Sequence, residues 1–401
     1  MKRLIWALAA GCIVLALVWG VMRLWPCQRG LADGGGPTAD SGRPSLTMEQ
    51  QHELERIATL GYVAGVEPVP AQTGVLTYVP EAAFNGLTLY TGGEGLEAFL
   101  IDMHGDIIHK WSYQGSKGWP RARILPDGGL LAITADPPSL LRLDAESRLL
   151  WRFDDHAHHD LAVLGDGSIC VLVRGMARRD YLNGGEPVID DNVVLLDSEG
   201  RELAFISLLR AFERSEFGAS WIEDHPFPQE EDIFHTNSIQ ALDRSGRLQL
   251  LLSIRSIDTV AVLDVASGEI VWAMAGRWHK QHEAQFVGKN LLLFDNLGLA
   301  HEGDGPNQSR VIEIDMESGE LVWSFSEPGF FTQRAGAQQR LPNDNTLITE
   351  SEAGRVIEVT PDGRIVWEYV NPMAVEGRPE IMLGILRAER ITTRLAPAWG
   401  R

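Results

Sequence analysis

From about residue 84 onward the chain is built of short runs in which aliphatic and polar residues alternate, broken by clusters of Asp, Asn, Ser and Gly. A period of two with β-branched and aliphatic residues marks strands, and the clusters mark tight turns. Six segments share one such pattern: AFLIDMHGDIIHKW (98–111), LLRLDAESRLLWRF (140–153), VVLLDSEGRELAFI (193–206), VAVLDVASGEIVWAM (260–274), VIEIDMESGELVWSF (311–325) and VIEVTPDGRIVWEY (356–369). Each reads as a β-hairpin. Its second strand carries a tryptophan (Trp111, Trp151, Trp272, Trp323, Trp367), replaced once by Phe205. One large aromatic per hairpin is expected to pack one repeat against the next.

A second hairpin alternates with the first, at 121–134, 159–173, 235–254, 282–296 and 337–351. Two hairpins make a four-stranded unit, and units recurring every 40–60 residues signal a β-propeller. The pattern predicts an all-β fold, a six-bladed β-propeller over 84–395. A ring of blades must be closed by a strand borrowed from one end of the repeats, and both 74–90 and 381–391 qualify.

The N-terminal residues break this pattern. Lys2 and Arg3 precede a nearly uncharged apolar run at 4–21. About 18 residues at ~1.5 Å each just span a hydrocarbon core. Positive charge in front places the N-terminus in the cytoplasm. The expectation is a signal-anchor transmembrane helix (1–27), with a cleaved signal peptide as its rival. It would hold the protein as a single-pass species of the inner membrane, with the propeller periplasmic. A Gly-, Ser-, Asp- and Pro-rich flexible linker (28–46) follows. Residues 47–83 then read as a short amphipathic helix and a lead-in strand. Thr47 and Gln50 have capping-box spacing, and Leu54, Ile57, Ala58 and Leu60 form one apolar stripe.

Composition narrows the function. The net charge of −20 over 401 residues argues against nucleic acid as a partner, because phosphate backbones select clustered Lys and Arg. Three scattered cysteines, Cys12, Cys27 and Cys170, offer no disulfide framework.

Candidate chemistry comes from histidine. His159 lies eight residues before Gly167, His235 eight before Asp243, and His282 eight before Asn290. Aligned by its turn, the second hairpin therefore carries an imidazole at one position in three successive copies, where the other two have Pro120 and Ala337. The first strand of a blade lines the central channel, so three rings would converge at one mouth. Three imidazoles can bind a metal with an open site for water. Alternatively, one can be a covalent nucleophile while the others donate protons and stabilise charge. Arg255 ends the strand after His235, and Arg174 ends the corresponding strand after His159. A guanidinium adds little to a metal site but grips two oxygens of a sulfuryl or phosphoryl group.

The strings HHDLAVLGDGSI, DIFHTNSIQAL, SIRSIDTVAVLD, QHEAQFVGKNLLLFDN and QRLPNDNTLITESEAGRVIEVTPDGRIVWEYVNP resemble the bacterial arylsulfotransferase (aryl-sulfate sulfotransferase) family, over roughly 80–390 and in the right order. The resemblance implies a six-bladed propeller outside the cytoplasm. It implies an enzyme that moves a sulfuryl group from a phenolic sulfate ester to a phenol by a ping-pong route, with no nucleotide donor, cofactor or metal. Its partners would be small phenols and aryl sulfates. By motif position His282 would carry the sulfuryl group as sulfohistidine, His235 would be the second active-site histidine, and Arg255 would hold sulfuryl oxygens. The HHD string supplies a third histidine, His159 or its neighbour His158; His158 and Arg174 are assigned to substrate binding. Two features depart from the family. The usual β-sandwich domain before the propeller is replaced by 47–83, which leaves the oligomer undefined. The arginine string continues Ser256-Ile257-Asp258, placing a carboxylate near an anion pocket. A non-catalytic propeller that binds a ligand or partner, and a three-histidine metallohydrolase, are the alternative readings.

Overall fold

The computed structural model describes residues 68–92, 95–223, 232–298, 308–375 and 377–391. The expected anchor, linker and amphipathic helix lie outside the described residues. Among the described residues no helix is long and apolar enough to cross a membrane.

Six antiparallel sheets form the propeller. Blade two runs β5 (Arg121–Ile124), β6 (Leu130–Ala135), β7 (Pro138–Leu143) and β8 (Leu149–Phe153). Blade three runs β9 (Ala157–Val163), β10 (Ile169–Ala177), β11 (Val188–Leu196) and β12 (Glu202–Ser207). Blade four is β13 (Thr236–Arg244), β14 (Arg247–Ile254), β15 (Thr259–Asp264) and β16 (Glu269–Ala275). Blade five is β17 (His282–Val287), β18 (Asn290–Asp295), β19 (Arg310–Asp315) and β20 (Leu321–Phe325). Blade six is β21 (Ala337–Arg340), β22 (Thr346–Glu350), β23 (Arg355–Val359) and β24 (Ile365–Val370). Every hairpin read from the alternating pattern is present.

Both candidate closing segments are used, at different places. Blade one joins β2 (Leu87–Gly92), β3 (Glu97–Ile101) and β4 (Ile107–Ser112) to the C-terminal β27 (Ile385–Ile391), which supplies its first strand. The N-terminal β1 (Gly74–Tyr78) instead pairs with β24 as a fifth, outer strand of blade six. A hairpin of β25 (Ala374–Val375) and β26 (Arg378–Met382) precedes β27. Two short helices missing from the sequence reading, α1 (Leu208–Arg214) and α2 (Gly218–Glu223), follow blade three. At seven and six residues they are too short to show a helical period.

The repeat residues explain the joints. The Asp at five of the six outer hairpins, replaced by Thr360 in blade six, is a turn residue: Asp144 Oδ1 accepts the N–H groups of Glu146 and Arg148, and Asp197 Oδ1 those of Glu199 and Arg201. Gly200 takes φ 78° at such a turn, a conformation that costs glycine little. The tryptophans tie blade to blade as expected. Their indole N–H groups donate to the turn of the next blade: Trp151 to Ser198 O (3.1 Å), Trp323 to Pro361 O (3.1 Å) and Trp367 to Met103 O (2.9 Å).

Candidate active site

The inner strands begin with strained backbone. His156, His159, His235, Lys280 and Glu283 all have φ between 49° and 57°, the left-handed region that side chains rarely adopt. Bulges accompany it. Between the pairs Ala157↔Val173 and Leu161↔Val171, three residues of β9 face Leu172 alone. In β13 only Asn237 is extra, and in β17 the register shifts between His282 and Gln285. Such bulges re-aim side chains at a barrel or propeller rim.

This register corrects one expectation. The three histidines do not share one ladder position. Arg174 N–H donates to His156 O (3.1 Å) and Arg255 N–H to His235 O (3.3 Å), so His235 corresponds to His156. His159 sits three residues further on, inside the bulge. Counting back from the turn misaligned them because the β13–β14 hairpin is paired all the way to Arg244↔Arg247. The rings nevertheless come together. Those of His159 and His235 meet edge to face with centroids 4.7 Å apart, and charges on His235 and His282 both bear on His159.

A recess of about 620 Å³, counted out to its mouth, is lined by His159, His282, Asn237, Arg121, Arg387 and Arg334, among others. His159, not His158, faces it. His158 is buried behind, with its Nε2 3.3 Å from Asp191 Oδ1.

His282 is the most defined group. Its Nδ1 donates to Asn296 Oδ1 at 2.8 Å and lies 3.2 Å from Lys280 O. The Asn296 amide is oriented in turn, because its Nδ2 donates to the carbonyls of Thr332 (2.7 Å) and Ala335 (2.5 Å). Both partners of Nδ1 are acceptors, so the ring proton sits there and Nε2 keeps its lone pair. Burial, then the Arg255 guanidinium, lower the His282 pKa to about 3, with His235 adding to the effect and the Asn296 bond opposing it. The ring is therefore neutral at physiological pH.

His235 is held from behind by Asp232, whose Oδ2 accepts from Nδ1 (2.8 Å) and whose Oδ1 accepts the His235 N–H (2.9 Å). Arg174 is buried with Nη2 3.6 Å from Asp232 Oδ2. It thus stands beside the histidine cluster rather than on the recess wall. Burial favours protonation of Asp232, but His235 and Arg174 outweigh it and hold the carboxyl well below the usual range. The carboxylate of Asp258, expected to trouble the anion pocket, is turned aside. It accepts from His279 Nδ1 (2.6 Å) and from the N–H of Lys280 (2.7 Å).

Sequence reasoning missed the floor of the recess. Arg121 Nη2 lies 2.6 Å from Asp160 Oδ1 and its Nη1 3.5 Å from Glu283 Oε1; Arg387 pairs with Glu283 and stands 3.8 Å from Asp160 Oδ2. These residues come from blades one, two, three and five and cross the channel as one layer of paired side chains. Burial raises the Glu283 pKa to about 8 against the pull of Arg121, with Asp160 also raising it. Asn296 was missed as well, although the FDN string that ends in it was legible. Among the described residues no group of His, Cys, Asp or Glu side chains is arranged to hold a metal ion.

The arylsulfotransferase (ASST) family model matches residues 121–372, more than half of the chain. No curated protein matches the sequence. Among solved structures, a protein of unknown function from Bacteroides caccae superposes with a TM-score of 0.50 at 12% identity, covering 76% of this chain and 98% of that one. The Dos1 propeller (TM-score 0.39, 12% identity, 75% of this chain and 76% of that one) and dihydro-heme d1 dehydrogenase NirN in complex with DHE (0.41, 12%, 84% and 82%) are also similar. At these identities the likeness to the Bacteroides protein speaks for the fold alone.

Proposed function

Because the chain belongs to the arylsulfotransferase family, we propose that the recess transfers a sulfuryl group from a phenolic sulfate ester to a phenol through a sulfohistidine at His282. The observation that carries this reading is the fixed tautomer of His282: a neutral, buried ring with its proton pinned on Nδ1 presents Nε2 as the nucleophile. Nε2 attacks sulfur in line, the S–O bond breaks, and the phenolate leaves. The Arg255 guanidinium offsets charge on the sulfuryl oxygens. His159 or His235 serves as the acid for the departing oxygen, an effect typically worth ~10²–10⁴-fold. In the return half-reaction a second phenol takes the group from His282, which makes the kinetics ping-pong. The pinned imidazole, with a cation close by, favours this reading over a purely ligand-binding propeller.

Exposure of the folded protein to an aryl sulfate, followed by intact-mass and peptide mapping, is expected to show one added SO₃ on His282. Donor cleavage without a label on His282, or neither label nor cleavage, would count against the mechanism. We further propose that residues 1–27 anchor the protein in the inner membrane with the propeller on the periplasmic side. Fractionation and protease accessibility of intact spheroplasts test this; a propeller protected from external protease refutes it.

A further inference from the structure

Behind the recess the rings of His158 and His159 meet Nδ1 to Nδ1 at 2.7 Å, edge to face, with centroids 5.0 Å apart. Two ring nitrogens at that distance share one proton. His158 is only 3% exposed. Its Nε2 and Asp191 Oδ1 face each other at 3.3 Å, and neither atom has another partner among the described residues. Asp191 Oδ2 accepts the Thr236 N–H at 2.5 Å.

The tautomers follow in sequence. A carboxylate only accepts, so His158 carries its proton on Nε2, toward Asp191. His158 Nδ1 then holds a lone pair, so His159 Nδ1 is the donor between the rings. His159 Nε2 is left with a lone pair, on a ring that lines the recess.

We infer that His159, His158 and Asp191 form a proton relay that stores the acceptor's hydroxyl proton on a buried imidazole–carboxylate pair. The inference rests on the reading of the recess as a sulfuryl-transfer site. When an acceptor phenol attacks sulfo-His282, the S–N bond breaks and its electron pair returns to His282 Nε2. The phenol proton passes to His159 Nε2 as the His159 Nδ1 proton passes to His158 Nδ1. His158 is then an imidazolium against the Asp191 carboxylate. In the next donor half-reaction the departing phenolate takes a proton from His159 Nε2, and His159 recovers one from His158.

The groups facing the relay make the stored charge transient. Burial lowers the pKa of both rings; His235, Arg174 and His282 push that of His159 down further, to well below the usual range, whereas on His158 Asp191 and Asp232 pull back against burial and Arg174. His159 alone would hold the proton among cations and imidazoles; His158 holds it against a carboxylate.

The test compares 4-nitrophenyl sulfate, whose phenolate leaves readily without a proton, with phenyl sulfate, whose phenolate does not. In full-length His158→Asn, turnover of phenyl sulfate is expected to fall on the order of 10²-fold further than that of 4-nitrophenyl sulfate. In mixed H₂O/D₂O the wild-type rate with phenyl sulfate should curve with deuterium fraction, as two protons move together, and the variant's should be linear. Asp191→Asn, which keeps the shape of the side chain, must give the same order of effects; a His158 variant that does not fold therefore leaves the question decidable. Equal slowing of both esters, or a linear wild-type dependence, overturns the relay while leaving His282 labelling intact. Absence of label on wild-type His282 overturns the parent reading and the relay with it.

Discussion

Asn296→Ala isolates the feature on which nucleophilic attack depends. The substitution removes the 2.8 Å acceptor at His282 Nδ1 and leaves the weaker contact to Lys280 O at 3.2 Å. A neutral buried hydrogen bond is worth roughly 1 kcal/mol, and an orphaned partner costs about 1–3 kcal/mol. With Lys280 O still present, a loss of about 1–2 kcal/mol is expected, which is roughly 5–30-fold in the rate of His282 sulfation. Asn296→Asp keeps an oxygen at Nδ1 and should retain more of the rate, although it gives up the bonds to Thr332 and Ala335. The assay is single-turnover labelling by 4-nitrophenyl sulfate, read by intact mass across pH. The Asn296 bond raises the His282 pKa, against burial and Arg255. Its removal therefore moves the acid limb further down, and the slowing should be uniform from pH 6 to 8. An unchanged labelling rate in Asn296→Ala, or slowing confined to one side of neutrality, would refute tautomer control.

Arg255→Ala should lower kcat/KM by roughly 10–150-fold, the value of a charge-assisted contact of about 1.5–3 kcal/mol, and raise the His282 pKa; NMR titration of that ring checks the second effect. The folded pKa of His282, about 3, lies below its unfolded value of about 6.5. Its contribution to stability is therefore complete above pH 6.5 and lost as pH falls toward 3, near 2 kcal/mol by pH 5 on linkage grounds. His158 and His159 shift in the same direction, whereas the raised Glu283 and Asp190 carboxyls, at about 8 and about 7, gain stability on acidification. The His282 contribution is therefore read as a difference: between pH 7 and 5 the denaturation midpoint of the wild type should fall relative to that of His282→Gln. Trp367→Ala removes a fully buried indole and its bond to Met103 O between blades six and one; about 3–5 kcal/mol of destabilisation is expected in urea unfolding.

Much of this protein was legible before any coordinates. Period-two alternation is local, so the hairpins and their turn residues, Asp144 and Asp197 among them, could be read directly. The aromatic of each repeat, a tryptophan in all but one, also announced its role, because a large aromatic recurring at one place must meet a neighbour. The histidines were recognisable by type, and Arg255 by its place at a strand end. Ring closure was not decidable from the chain, since 74–78 and 385–391 are equally strand-like and only the assembled ring assigns one to the outside of blade six and the other to the inside of blade one. Register at the channel mouth was also hidden. A bulge adds a residue without changing the alternation on either side of it, so His159 and His235 seemed equivalent when they are not. The charged floor of Arg121, Asp160, Glu283 and Arg387, and the carboxylates behind His158 and His235, join residues far apart in sequence. Electrostatic pairing depends on distance in space, and those distances exist only once the blades have closed.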